Sequence, residues 1–381
     1  MSLLTAPGMP VVNTDDFLFG PGTPEELMYF KRLQENFAPQ FEAVFPHQHV
    51  PKTVIVIPSL TLDQEILSKI KGHIFYEERM LCLMLLLRMP RTHLIFVTSV
   101  PIDPVIIDYY LHLLPGITGY HARQRLTLLS AYDSTSRSLT EKILERPRLI
   151  ERIRRSVPDG HTAHLACFNV TRFERTLAVK LGVPIYGCDP DLYHLGTKSR
   201  GRELFKEVGV AVPEGYENLR DEQDVIDALT ELKSRNPLLK KAVIKMDDGF
   251  SGEGNALFSY QQSPVSGNLK SWITSSIHTM RCVADDLKYD EFMEKFKSMK
   301  GIVEEFIDGS VKTSPSVQCR ISPLGKVDVV STHDQALGGE SGQVFLGARF
   351  PADPAYSVEI GKMGGQIASR LRDYGVIGRF S

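Results

Sequence analysis

Three short segments of this sequence carry residue types that suit binding of a polyanion. In the first, Lys245 lies one residue from the end of the run Lys241-Ala-Val-Ile-Lys-Met246, and eight residues holding three glycines follow that run, Asp247-Asp-Gly-Phe-Ser-Gly-Glu-Gly254. Glycine lets backbone N–H groups approach an anion closely, because no Cβ intervenes. A lysine beside such a loop adds a point charge suited to phosphate. In the second, Val303-Glu-Glu-Phe-Ile-Asp-Gly309, acidic residues run from a strand pattern into a glycine turn. A Glu carboxylate there can accept a hydrogen bond from the amino group of a base, and a backbone N–H can donate to the ring. In the third, Lys198 stands just before a helix beginning near Ser199. A lysine and a helix N-terminus both favour anions.

Taken singly, each segment has a plainer reading. The first fits a Gly-rich hairpin with an exposed lysine, the second an acidic pair on an exposed strand, and the third a solvent-facing lysine. Two familiar phosphate motifs are excluded. No G-x-x-x-x-G-K-[ST] occurs. Ala242-Val-Ile-Lys245 imitates the lysine strand of a protein kinase, but here the glycine loop follows the lysine, and neither H-R-D nor D-F-G is present.

The elements around these segments divide the chain. Lys52-Thr-Val-Ile-Val-Ile-Pro58 and Thr92-His-Leu-Ile-Phe-Val-Thr98 are short β-branched apolar runs, the pattern of strands buried on both faces. Further strands are expected at 125–129 and 164–168. Helices are expected from Asp63, over 104–114 and 140–156, and over 171–181 with Gly182 as its C-cap. This alternation predicts a parallel sheet covered on both faces, bounded at 51–190. Before it, residues 1–50 read as a peripheral arm with one helix from Pro24, capped by Thr23. The run Met80 to Leu87 reads as a buried helix, being under half the ~20 residues of a membrane span.

After the Asp189-Pro190-Asp191 turn signal the pattern changes. Helices are expected at 198–208, 221–234, 284–299 and 356–374. Strands are expected at 241–246, 256–260 and 301–307. An antiparallel pair, 317–321 and 327–332, flanks the Pro323-Leu-Gly325 turn.

Hydrophobic residues at 42% and charged residues at 24% are ordinary for a globular protein, so disorder is not the default. The net charge of −2 and the absence of a long basic run argue against nucleic acid as a partner. Five scattered cysteines without a C-x-x-C pair suit a reducing compartment. With no signal-peptide pattern, a cytoplasmic location without membrane association is expected.

Order along the chain joins the three segments. A lysine before a helix comes first, then a lysine with a glycine loop, then an E-x-x-[apolar] hinge. Lys198 and Lys245 are 47 residues apart, and Lys245 and Glu304 are 59 apart. In this order and spacing the chain from about Gly196 to Ser381 resembles the ATP-grasp carboxylate–amine ligases. More narrowly, it resembles the peptide ligases of the pheganomycin type, through Ser314-Pro-Ser-Val-Gln318, Ser331-Thr-His-Asp-Gln335, Leu337-Gly-Gly339, Gly342-Gln343, Gly347-Ala-Arg-Phe-Pro-Ala352 and Gly375-Val-Ile-Gly-Arg-Phe-Ser381.

The resemblance implies a fold that is α/β and α+β. A Rossmann-like pre-ATP-grasp domain at 51–190 would precede an ATP-grasp fold, with a central lid subdomain at 191–300 and a C-terminal subdomain at 301–381. It implies ATP and Mg2+ as cofactors. The substrates would be an acid and an amine, small molecules or peptides, joined through an acyl phosphate. Homo-oligomerisation is left open. Lys198 and Lys245 would contact phosphates. The loop 248–255, with Asp248, Gly249, Ser251, Gly252 and Gly254, would close over them. Glu304 would accept from adenine, with Glu305 beside it, and the Ile307 backbone would complete that contact. Asp308 is a weaker candidate for the ribose. Arg349 would hold the acyl phosphate or the carboxylate, or else form a surface salt bridge.

His333 and Asp334 are neighbours in a strand and point to opposite faces, so they are poorly placed to act on each other. The resemblance puts the magnesium ligands on an Asp shortly after Gly-Arg-Phe and in an E-x-N run. Both positions fall after Ser381, so the metal ligands are unknown. The expectation is an ATP-grasp fold lacking its C-terminal end. The alternatives are a non-catalytic ATP-binding module or inactive fragment, or a small-molecule kinase that stops at the phosphorylated acid.

Overall fold

The computed structural model describes residues 19–61, 72–248, 254–264, 267–284, 287–307, 309, 312–338 and 344–381. The chain forms two compact units, Met1–Pro190 and Asp191–Ser381.

The first unit is built on a four-stranded parallel sheet. Its strands are β1 (Lys52–Ile57), β2 (Thr92–Thr98), β3 (Leu126–Ser130) and β4 (Ala163–Cys167), in the order β3-β2-β1-β4. All six residues of β1 are buried, which accounts for the unbroken apolar run Val54–Ile57. Helices α1 (Pro24–Glu35), α2 (Phe37–Val44), α3 (Pro104–His112), α4 (Gly119–Arg123), α5 (Leu139–Leu144), α6 (Pro147–Arg155) and α7 (Arg172–Leu181) surround it.

Thr23 caps α1 by accepting from the Glu26 N–H, and Gly182 ends α7 with φ +69°. The stretch read from sequence as a peripheral arm supplies Phe30 and Phe37 to buried positions. The helix expected at 140–156 is two helices. Pro147 has no N–H and its ring clashes with the preceding turn, so the chain breaks at Arg146 and restarts with Pro147 at the first position of α6. Met80–Leu87 lies in a 3-10 helix, His73–Arg88, and is buried on one side only. Leu81, Met84 and Leu87 face the core at the three-residue spacing of that helix, while Leu85 is exposed. The start expected at Asp63 lies outside the described residues.

The second unit holds two antiparallel sheets. One contains β5 (Gly215–Leu219), β6 (Lys241–Met246), β7 (Asn255–Ser259), β8 (Arg281–Cys282) and β9 (Gly301–Glu305), in the order β5-β9-β6-β7-β8. The other contains β10 (Pro315–Ile321), β11 (Val327–Gly338), β12 (Val344–Arg349) and β13 (Gly378–Phe380), in the order β12-β11-β10-β13. The helices are α8 (Lys198–Glu207), α9 (Glu222–Arg235), α10 (Leu269–Ser276), α11 (Tyr289–Met299) and α12 (Ser357–Asp373).

The core of the first sheet joins Val225, Leu229 and Leu232 of α9 to Ile244, Phe258, Phe292, Phe296 and Val303. α12 packs on β10 and β11, where Gly364 admits Val317 and Cys319. β9 ends at Glu305 rather than Ile307, and α11 starts at Tyr289 rather than 284. The resulting class is mixed: a parallel α/β unit, then antiparallel α+β sheets. No helix among the described residues is long and apolar enough to cross a membrane.

Candidate functional site

The site is assembled where α8 meets the ends of β6 and β9. α8 begins because Thr197 is extended and its hydroxyl accepts from the Arg200 N–H. The next donor, Ser199 N–H, gives its hydrogen to Asp247 Oδ1 at 2.8 Å. The anion at this helix end is therefore the carboxylate of Asp247, just past β6. The buried Ser199 hydroxyl adds contacts to Gly301 O at 3.4 Å and from Asn218 N at 3.0 Å. These bonds fix the first turn of α8 to β5 and β9.

From this turn Lys198 reaches the end of β6. Its ammonium donates to Met246 O at 2.7 Å and to Asp247 O at 3.5 Å. Burial holds its pKa below the ordinary lysine value, and the neighbouring charge of Lys245 presses it further down. Lys198, from α8, thus reaches the carbonyl of the residue that follows Lys245 on β6.

Lys245 sits diagonally from Glu304, because β6 and β9 pair Val243 with Glu304 and Lys245 with Ile302. Its ammonium forms an ion pair with Glu304 Oε1. Glu304 Oε2 accepts from Arg202 Nη1 at 2.6 Å. Glu304, read from sequence as the acceptor for a base amino group, thus has both carboxylate oxygens engaged by cations. Arg202 also donates from Nε to Glu217 Oε1 at 2.8 Å and from Nη2 to Pro213 O at 2.7 Å.

Two glycines permit this approach of strands. A Cβ on Gly301 would lie 2.2 Å from Lys245 O, and one on Gly215 would lie 2.3 Å from Val303 O. The glycine loop leaves β6 through Met246, whose N–H donates to Gly254 O at 2.9 Å. Gly254 is buried at the far side of the loop. Asp248 is exposed beside the Tyr193 hydroxyl, whose pKa is pushed up to about 12 by burial and then by that carboxylate. Gly249, Ser251, Gly252 and Asp308 lie outside the described residues.

Glu305 pairs with the chain before β5: its N–H donates to Glu214 O at 2.9 Å and its carboxylate accepts from Glu214 N at 3.3 Å. Ile307 lies just past β9 and is exposed. Arg349 is elsewhere, exposed on edge strand β12 in register with Asp334. It makes no hydrogen bond or ion pair to the lysine cluster among the described residues. Asp334 accepts from Tyr356 Oη at 2.6 Å and from Asp353 N at 2.9 Å. His333, on the opposite face, is buried and stacks on Phe350 with ring centroids 4.6 Å apart.

Arg202, Asp247 and Ser199 were not singled out as site residues by sequence reasoning. Arg202 had a signal: it stands four residues after Lys198, on the same helix face. Among the described residues no group of three or more His, Cys, Asp or Glu is placed to hold a metal ion. A groove of about 670 Å³ along α12, lined by Lys362, Gln366, Ser369 and Arg370 among others, shares no residue with the lysine cluster.

Residues 190–275 match the family model described as IQCH-like, ATP-grasp. The chain is 31% identical over 338 residues to L-propargylglycine–L-glutamate ligase of Streptantibioticus cattleyicolor, an alignment covering 86% of this chain and 67% of that protein. It is 24% identical over 368 residues to IQ motif-containing protein H of Danio rerio, covering 84% of this chain and 35% of that one. Among solved structures, the ADP complex of an N5-carboxyaminoimidazole ribonucleotide synthetase aligns with a TM-score of 0.48 at 12% identity, over 86% of this chain and 65% of that chain. The chain thus spans about two thirds of the ligase and about a third of the IQ motif protein. On the identity to the ligase, this chain belongs to the ATP-grasp family of carboxylate–amine ligases.

Proposed function

We propose that this protein binds ATP at the Lys198–Lys245 cluster and uses it to join a carboxylate to an amine. The observation that carries the reading is that Lys198 bonds the carbonyl of Met246, the residue after Lys245, at the end of β6 and the root of the glycine loop. The charge of Lys245 disfavours the charged form of the buried Lys198, and a polyphosphate beside them would offset that penalty. The loop 248–255 would cover the phosphates. Both Glu304 oxygens carry cation partners, which turns the base contact toward the residues just past β9, where Ile307 is exposed.

In this reading a carboxylate oxygen attacks the γ-phosphorus, ADP leaves, and the amine then displaces phosphate from the acyl carbon with loss of a proton. The work of Lys198 and Lys245 is to hold and neutralise the phosphates as charge shifts toward the leaving oxygen. Magnesium would share that work in this family, but among the described residues no group of three or more His, Cys, Asp or Glu is placed to hold it. Arg349, exposed on β12, is the candidate for the acyl group. The relative's name pairs two amino acids, which supports amino acids or short peptides as acid and amine.

The test is product analysis. The protein is incubated with ATP, magnesium and pairs of L-amino acids, and nucleotide and amide products are resolved. ADP release that depends on both amino acids is expected. Replacing either lysine with alanine should weaken ATP binding by at least about tenfold. Release of AMP would point to an adenylating enzyme, and ADP release without amine to a kinase. Failure of the protein to bind ATP would end the reading.

A further inference from the structure

One carboxylate in the cluster is shared by two cations that are held very differently. Glu304 gives Oε1 to Lys245 and Oε2 to Arg202. Arg202 is 6% exposed, and its guanidinium is fixed on three sides, by Glu304, Glu217 and Pro213 O. Glu217 is steadied in turn by Lys206 Nζ at 2.5 Å. Lys245 has a quarter of its side chain exposed, and its ammonium is bonded to Glu304 alone among the described residues. A fixed cation and a movable cation therefore face the same buried anion.

This asymmetry matters if Lys245 engages phosphate, so the inference rests on the function proposed above. To reach a phosphate oxygen, the ammonium must loosen its hold on Glu304. A buried carboxylate stripped of its partner is strongly unfavourable, and that cost would set itself against nucleotide binding. Arg202 removes most of it. When Lys245 turns away, Glu304 keeps a charge-assisted hydrogen bond from a guanidinium that is already held in place and does not need to move. We propose that Arg202 is a positioning residue: a standing counter-ion for Glu304 that frees Lys245 to exchange the carboxylate for the ATP phosphates. It touches no substrate and acts through Glu304.

The proposal makes Glu304 a competitor of phosphate once Arg202 is gone, and a double variant reads that directly. Binding of a non-hydrolysable ATP analogue would be measured by calorimetry for wild type, Arg202→Gln, Glu304→Gln and the double variant, with thermal melts to check folding. Arg202→Gln should weaken binding by about tenfold or more, because Glu304 then holds Lys245. The double variant should return to within about threefold of wild type, since no carboxylate remains to hold the lysine. Arg202→Lys should fall between, because an ammonium cannot meet three acceptors in the geometry of a planar fork.

A double variant as weak as Arg202→Gln would make Arg202 merely structural and overturn the proposal. So would Arg202→Gln binding as tightly as wild type. If Arg202→Gln does not fold, Glu304→Gln alone decides. The exchange model expects binding about twofold tighter or better, and a tenfold loss overturns it. Absence of nucleotide binding by wild type is a separate outcome, and it removes the functional reading itself.

Discussion

Ser199 and Asp247, 48 residues apart in sequence, are joined by a backbone N–H to carboxylate bond of 2.8 Å. It ties the first turn of α8 to the end of β6, and with it Lys198 to the strand that carries Lys245. The positive end of the helix dipole and the carboxylate reinforce each other.

Asp247→Ala should therefore cost about 1–2 kcal/mol of stability, the range for a lost charged cap. It should also loosen the approach of Lys198 to Lys245 and weaken ATP binding. Urea denaturation and calorimetry on the same sample check both. Asp247→Asn should retain most of the stability, because its amide oxygen can still accept.

Gly301→Ala tests the contact between β9 and β6. The added methyl would meet Lys245 O at 2.2 Å and Phe296 Cε2 at 2.5 Å, so backbone must move. A loss of about 3 kcal/mol is expected, at the upper end for overpacking. A melting temperature within a degree of wild type would contradict the close approach of β9 to β6.

The Lys198 ammonium is held below the ordinary lysine range by burial and by Lys245. Only its protonated form attracts phosphate. ATP affinity should therefore be full at neutral pH and fall as pH rises through the depressed pKa, below the usual 10.5. Lys198→Arg should move that loss to higher pH, because arginine stays protonated. Calorimetric titrations from pH 7 upward read both curves.

Glu77, in the first unit, gives a stability signature independent of the site. Ser99 donates to it from N and from Oγ, both at 2.6 Å, and Lys142 Nζ donates to the same Ser99 Oγ at 2.9 Å. Burial nonetheless pushes its carboxyl from 4.5 up to about 7. Between those values the folded chain binds a proton that the unfolded chain does not, so stability should fall as pH rises across that window. The loss is about 3 kcal/mol at most, from the size of the shift. Glu77→Gln should flatten the slope in denaturation curves taken from pH 4.5 to 8. An equal slope in the variant would remove Glu77 as the source.

Much of the framework was legible in the sequence because its signals are local. Continuous β-branched runs gave β1 and β2, since a strand buried on both faces needs apolar side chains on each. Gly182 marked the end of α7, because a left-handed cap residue with φ +69° is readily supplied by glycine. Misreadings came where tertiary packing decides. Met80–Leu87 has the composition of a buried helix, yet only every third residue faces the core, because one side alone meets β2. β5 was not anticipated: Gly215-Tyr-Glu-Asn-Leu219 has little strand pattern and is held as an edge by pairing with β9.

By itself, the sequence determined which residue types were available and in what order: two lysines, a glycine loop and an acidic strand. Composition and periodicity could reach that far because helices, strands and turns are selected by neighbours along the chain. Which side chain answers which was decided only by the tertiary structure. Asp247 filled the helix end expected to meet an external anion. Arg202 joined Lys245 in taking the carboxylate of Glu304, and Arg349 fell on a separate sheet. These outcomes depend on the register of β6 against β9 and on the docking of α8, contacts between residues 48 to 102 positions apart, which local sequence pattern does not encode.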